Sequence, residues 1–242
     1  PFMPLVPGFK HVPPNNLKKV RDAITEKTAA ILVEPIQGEG GVRVPSDDFL
    51  PELREICDKK DVLLIFDEVQ TGFGRTGKVF ACEHWNVVPD IMCLAKSVAG
   101  GIPMGATFAR HDVMSAFKRG EHSSTFSGNP LVCAAASAAI DVLVEERLPE
   151  RAARLGRYFK GKLEDLAEKY RIVREVRGLG LMLGMEMRFD VYNILLGCMD
   201  QGVLVLDAGR NVLRFLPPLV IEKEQIDRVV EVLDTVMENE NR

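Results

Sequence analysis

The stretch Val62-Leu63-Leu64-Ile65-Phe66-Asp67-Glu68-Val69-Gln70-Thr71-Gly72-Phe73-Gly74-Arg75-Thr76-Gly77-Lys78 sets an apolar run, two acids and a glycine-rich loop end to end. The run ending in Asp67-Glu68 has the form of a Walker B strand. The loop after it spells both GxGxxG and GxxxxGK. The order of the parts argues against either nucleotide reading. A P-loop needs Ser or Thr after its lysine to hold magnesium, and its glycines belong on a different element from the B strand. Here Val79 follows Lys78, and one strand leads directly into the loop. A dinucleotide fold places its glycines between a strand and the helix they open. Asp67, Glu68 and Gln70 intervene, and Gly77-Lys78-Val79-Phe80 starts no helix pattern. What remains is a carboxylate at the end of a buried strand.

The neighbouring segments fit that strand into an α/β frame. Ala29–Glu34, Asp90–Leu94 and Gly105–Ala109 are further compact apolar runs. Continuous rather than alternating runs, separated by helices, predict a parallel sheet covered on both faces. Asn16 is placed to cap a short helix over Leu17–Thr25. Ser46 is placed to cap another running to about Lys60, with Phe49, Leu50, Leu53, Ile56 and Cys57 on one face. Asn129-Pro130 opens a long Ala-rich helix to about Glu146, because proline is pre-shaped for a first turn. A second long helix covers about Glu150–Tyr170. The pattern then changes to short strands at Val173–Arg177, Leu181–Met187, Val203–Leu206 and Val212–Phe215 with no helix after each. The chain closes on an amphipathic helix carrying Ile226, Val229, Val230, Leu233, Val236 and Met237. The opening, Pro1–Asn16, reads as an irregular proline-rich arm. This divides the chain into residues 1–150, part of a large domain, and residues 151–242, a small C-terminal α+β domain.

Bulk properties narrow the function. The 242 residues carry a net charge of −4 with both signs interspersed, so neither a nucleic-acid surface nor a polybasic membrane anchor is indicated. No apolar run approaches the ~18 residues that span a bilayer, and no secretory signal is visible at the start. The five cysteines form no CxxC and are odd in number, which favours reduced thiols in a cytoplasmic protein over disulfides or a zinc site.

Asp67 alone reads as a helix cap or loop acid, and Lys96 alone as a surface residue. Together they stand at or just past the carboxyl ends of two buried strands, where parallel α/β sheets place ligand groups. Lys96-Ser97 is followed by Val98-Ala99-Gly100-Gly101, and a lysine desolvated in such a place becomes nucleophilic. An acid facing a pyridine nitrogen and a lysine forming a Schiff base are the pairing that pyridoxal 5'-phosphate requires.

Four motifs, in order, then carry a family resemblance: Val33-Glu34-Pro35-Ile36-Gln37-Gly38-Glu39-Gly40-Gly41, Phe66–Gly77, Ala95-Lys96 and Ser124-Thr125-Phe126-Ser127-Gly128-Asn129-Pro130. They resemble the class III aminotransferases, the group of the acetylornithine, ornithine and 4-aminobutyrate enzymes. The resemblance implies a fold-type I pyridoxal-phosphate transferase, with a mostly parallel large-domain sheet of seven strands and a small C-terminal α+β domain. It implies that Asp67 pairs with the ring nitrogen, Gln70 bonds the ring's 3-oxygen, and Lys96 is both the Schiff-base lysine and the proton shuttle. It implies that Thr125 reaches the cofactor phosphate of the neighbouring subunit, so that the site belongs to a homodimer, and that the Gly72–Gly77 loop lies beside the cofactor near the subunit interface. Glu39 and Arg214 match a pair in which the arginine clamps a substrate carboxylate and the acid neutralises it for other substrates. Arg214 alone reads as a strand-surface charge. Glu34 is read as ordering the first loop, His122 as a loop histidine, and Gly178, Gly180 and Gly184 as serving turns and close packing. The expected reaction moves an ω-amino group from acetylornithine, or from an acetylated or carrier-linked lysine, to the 2-oxo acid 2-oxoglutarate in arginine or lysine biosynthesis. Ornithine and 4-aminobutyrate enzymes are the alternative, and an inactive dimerising fragment is the rival of another class. The family's phosphate-binding loop, ring-stacking aromatic and further substrate arginine have no counterpart here, so a longer parent enzyme is expected.

Overall fold

The computed structural model describes residues 3–240; the first two residues of the proline-rich arm lie outside it. Two four-stranded sheets organise the chain. The first contains β1 (Ala30–Val33), β2 (Leu63–Asp67), β3 (Ile91–Leu94) and β4 (Ala106–Ala109) in that spatial order. β1, β2 and β3 are parallel. β4 runs antiparallel to β3, with Met92 opposite Phe108, so the last of the four runs departs from the parallel sheet read from them while the mostly parallel sheet that the resemblance implies is met. The connection between them holds a single 3-10 turn, Lys96–Ala99, and a parallel crossover takes about a dozen residues or more. The sheet is mixed, mostly parallel.

Helix α1 (Leu17–Ala23) is capped as its sequence requires, Asn16 Oδ1 accepting from the Lys19 N–H at 3.0 Å. Helix α2 (Phe49–Lys60) covers one face of the first sheet, its Leu50, Leu53 and Cys57 packing with Leu64 and Phe66. The opposite face is only partly covered: Leu32 is 58% exposed, and Ile65 and Ile91, level with it in the ladder, are half-buried. The expectation of cover on both faces is therefore met on one. The apolar composition of the strands reflects a demand for cover that the described residues meet only on the α2 side. Ser46 does not cap α2. Asp48 holds the N-cap position without a side-chain bond, while the Ser46 hydroxyl donates to Asn15 Oδ1 at 3.0 Å. Asn15 in the preceding arm thus competes for the group that would have capped the helix.

A four-residue turn of helix, α3 (His111–Met114), leads to α4 (Pro130–Glu145), whose first turn is capped by Asn129 Oδ1 accepting from Leu131 N and Val132 N. Helix α5 (Leu148–Lys169) then crosses to the second sheet. That sheet orders β5 (Val173–Leu179), β6 (Met182–Met187), β8 (Val212–Phe215) and β7 (Leu206–Asp207), all antiparallel. Leu155, Phe159 and Leu163 of α5, with Ile226, Leu233 and Met237 of α7 (Lys223–Glu240), close its core, and Phe159 meets Phe215 edge-on at 5.2 Å. Helix α6 (Tyr192–Asp200) between β6 and β7 departs from the expectation of strands without a helix. Only Ile194 and Cys198 of α6 are buried, too short an apolar stripe for the 3.6-residue period to register. The strand expected at Val203–Leu206 shrinks to Leu206–Asp207.

Candidate active site

Asp67 is the last residue of β2, level with Cys93 on β3. Its Oδ1 accepts the Val69 N–H at 3.0 Å, which fixes the direction of the carboxylate. Lys96 follows the neighbouring strand β3 and opens its 3-10 turn with φ at +53°, a left-handed conformation that a lysine rarely adopts. Strain of this kind costs on the order of 1 kcal/mol and persists where the surroundings impose it. Here Val98 and Ala99 are buried against Phe73 and Leu94 and hold the turn. The Lys96 residue itself is exposed. Its expected desolvation is thus not supplied by the described residues, because the sheet face it borders is only partly covered.

Gln70, Glu39 and Arg214 converge from three segments. The Arg214 Nη1 donates to Glu39 Oε1 at 2.6 Å and to Gln70 Oε1 at 3.3 Å, and Gln70 Nε2 donates to Glu39 Oε1 at 3.4 Å. The Arg214 hydrogen bond, partly opposed by burial, holds the Glu39 carboxyl below its usual range; the Gln70 amide and the nearby Lys96 ammonium lower it further. The pair is lopsided: the Glu39 side chain is 75% exposed and that of Arg214 only 8%. Arg214 Nε is buried without a partner, so the guanidinium keeps an unmet donor. Gly38 lets the first loop pass against Gln70, since a Cβ at that position would lie 2.1 Å from Gln70 Oε1. Glu34 orders that loop, its Oε2 accepting the Gly38 N–H at 2.9 Å.

Thr125 and His122 are exposed, on the segment before α4. Among the described residues Thr125 makes no hydrogen bond to Asp67, Gln70 or Lys96. The structure therefore brings Glu39, Gln70 and Arg214 into contact, sets Lys96 near Glu39, and leaves Thr125 apart from them.

The glycine loop has partners that the sequence did not reveal. Glu68, buried, accepts from the Thr71 hydroxyl, from Ala81 N at 3.0 Å and from Cys82 N at 2.8 Å. Burial pushes its carboxyl up despite those donors. Arg75 then reaches the second sheet's side, donating to the carbonyls of Leu181 at 3.0 Å and Pro217 at 2.5 Å. Gly180, at φ +54°, takes the Thr76 backbone where a Cβ would sit 2.3 Å from Thr76 C. The loop is thus a clasp between the two sheets of one chain. Glu68 was masked in the sequence by the acid beside it, and no signal at Arg75 separates it from a surface arginine.

Comparison with known proteins bears on the family and the fold. The family described as aminotransferase class-III matches residues 3–237. The acetylornithine aminotransferase of Methanocaldococcus jannaschii is 49% identical over 97% of this chain, which spans 59% of that protein's length. The chain thus covers about three fifths of such relatives. Among solved structures, the acetylornithine aminotransferase from Elizabethkingia anophelis superposes with a TM-score of 0.91 at 41% identity, covering 97% of this chain and 63% of that one. The ornithine aminotransferase from Toxoplasma gondii, whose structure with oxidized glutathione is described as having partial occupancy of PLP at its active site, gives 0.94 at 40% identity, covering 99% of this chain and 58% of that one.

Proposed function

Since the chain belongs to the class III aminotransferases, whose structural relatives share the fold-type I architecture, we propose that it carries the catalytic lysine and ring-binding acid of a pyridoxal-phosphate-dependent transaminase. The observation that carries the reading is Lys96 held in a left-handed turn beside the strand that ends in Asp67. The donor set fits the cofactor: an oriented carboxylate ends β2, an amide stands three residues on, and a primary amine stands just past the neighbouring β3, while the Arg214 guanidinium lies against that amide.

When bound, the cofactor supplies an electron sink for the bond broken at the substrate's α-carbon. Asp67, steadied by the Val69 N–H, would keep a proton on the ring nitrogen through its carboxylate charge. Lys96 Nζ would hold the cofactor, and its amine, when free, would take up and return the proton at the substrate's α-carbon. Gln70 would orient the ring through its amide. Arg214 would clamp a carboxylate of the 2-oxo-acid acceptor, since a planar fork matches that group. Glu39, exposed enough to swing away, neutralises Arg214 when a donor with an uncharged or amine tail occupies the site.

We assign as donor acetylornithine, or a comparably acetylated or carrier-linked lysine, and as acceptor 2-oxoglutarate, in arginine or lysine biosynthesis; the names of the relatives support the first. Ornithine is the second reading, supported by the structural neighbours of that name. We place the enzyme in the cytoplasm on its five unpaired cysteines; among the described residues no helix is long and apolar enough to cross a membrane. The functional unit is proposed as a homodimer in which the exposed Thr125 reaches the partner's cofactor phosphate, with residues 1–150 in the large domain and 151–242 in the small one. Half-reactions of the full-length protein with acetylornithine, ornithine and 4-aminobutyrate, followed by the colour change of the cofactor, test the assignment. Fastest turnover with acetylornithine is expected, and no conversion with any of the three or with acetyl-lysine and its carrier-linked form rejects transamination.

A further inference from the structure

Arg177 on β5 and Arg214 on β8 both stand opposite Gly184 on β6. Directly opposed residues of antiparallel strands share a face, so the two arginines flank a glycine in one row across the sheet. The loop carrying Glu39 lies over that row. Val42 of the loop is fully buried and fills the space above Gly184, where a Cβ would lie 2.9 Å from Val42 Cβ. On one flank Arg214 takes the Glu39 carboxylate at 2.6 Å. On the other, Arg177 takes the loop's backbone: Nε and Nη2 donate to the Gly41 carbonyl at 2.9 and 2.7 Å, and Nε also meets the Val42 carbonyl at 3.2 Å. Glu186, next but one after Gly184 on β6, accepts Arg177 Nη1 at 2.7 Å and Arg174 Nη1 at 2.8 Å.

The two arginines differ in what balances them. The Arg177 and Glu186 side chains are 11% and 10% exposed, so this pair is shielded, and the more exposed Glu175 adds a second carboxylate to the same Nη1 at 2.7 Å. The acid facing Arg214 is largely in solvent. A buried guanidinium with its own counter-ion can hold neutral carbonyls without being drawn to a passing substrate anion. A guanidinium whose counter-ion is exposed is free to exchange partners.

We propose that Arg177, oriented by Glu186, is a positioning residue that sets the Glu39 loop against Arg214 and so determines how readily the site switches between carboxylate-tailed and uncharged- or amine-tailed substrates. It rests on the functional reading above for what those substrates are. Loss of the fork loosens the loop, weakens the Glu39–Arg214 contact and leaves Arg214 open to anions more of the time.

The test measures binding of glutarate, an unreactive dicarboxylate, to the cofactor-loaded full-length protein by calorimetry. It also measures KM and kcat for each half-reaction and the melting temperature, in Arg177→Lys, Glu186→Gln, Glu39→Gln and the Arg177→Lys/Glu39→Gln pair. Arg177→Lys is expected to tighten glutarate about fivefold and to raise KM for the amine donor by a similar factor, with Glu186→Gln moving both in the same direction by less. In the Glu39→Gln background, Arg177→Lys is expected to change neither. Equal losses in both half-reactions with unchanged glutarate affinity overturn the proposal, as does an undiminished effect in the Glu39→Gln background. If Arg177→Lys does not fold, Glu186→Gln decides on the same readouts. A wild-type protein that transaminates nothing yet shows the glutarate pattern rejects the proposed function and leaves the positioning role standing.

Discussion

In the first sheet the groups proposed for chemistry, Asp67 and Lys96, stand where strands end; in the second, Arg177 and Arg214 stand in mid-strand on either side of Gly184. The carboxyl end of a parallel strand leads into a connection whose backbone can be shaped freely, and Lys96 uses that freedom to take φ +53°. A residue in an antiparallel ladder has its face fixed by register, so both arginines stand on the face that meets the Glu39 loop. A reacting amine must move between bonding to the cofactor and carrying a proton, whereas a selective clamp must hold its aim. The clasp through Arg75 and the loop over Gly184 join the two, so neither sheet supplies a site by itself.

The largest blow to the first-sheet half of this comparison is Lys96→Ala. Single-turnover kinetics in the full-length protein should show a loss of about 10⁴-fold or more; a variant retaining most of its rate would remove the chemistry from that strand end. The second-sheet half is sharpened by Arg214→Ala. Its kcat/KM for the 2-oxo-acid acceptor should fall about 100-fold, through KM, as for a removed partner of a charge pair, with a smaller fall for the amine donor. Equal falls for both would mean that Arg214 does not discriminate. Gly184→Ala probes the join: a Cβ pressed on Val42 should cost about 1–3 kcal/mol in denaturant unfolding, and a neutral result would show that the loop yields easily.

The smallest effect concerns Asp90, just before β3. Burial works to raise its carboxyl, but the Leu64 N–H at 2.7 Å and the guanidinium groups of Arg54 and Arg110 win and hold it below the ordinary value of about 3.8. The folded state therefore binds that proton less readily than the unfolded state. The resulting stability is complete above the unfolded value and disappears as pH falls through the lower folded value. Thermal melts between neutral and acid pH should show Asp90→Asn flattening this dependence; parallel curves would remove Asp90 as an acid-sensitive pin of the first sheet.

The positions of all the described strands but β7 were legible because apolar runs bounded by turn residues mark buried strands whichever direction they take, whereas both residues of β7 are exposed. Direction was not legible, and the reversal of β4 followed from the shortness of the connection after Leu94. Helix α6 was lost because its buried stripe is two residues long, and Ser46 misled because its rival Asn15 lies 31 positions away. Asp67 and Lys96 were readable as a pair at strand ends. Glu39, Gln70 and Arg214 gained roles only from family resemblance, and nothing local distinguishes Arg214 from a surface charge. Arg177 and Glu186 were unread because their meeting with the Glu39 loop depends on register across β5, β6 and β8, which spacing along the chain does not encode.

The most direct test of the pairing between Asp67 and Lys96 is chemical. The full-length protein is incubated with pyridoxal phosphate, reduced with borohydride and peptide-mapped, as wild type and as Asp67→Ala. The account predicts one phosphopyridoxyl mass on the Lys96 peptide of the wild type, sharply reduced in Asp67→Ala at limiting cofactor. Label scattered over other exposed lysines, or equal occupancy of Lys96 with and without the acid, contradicts it.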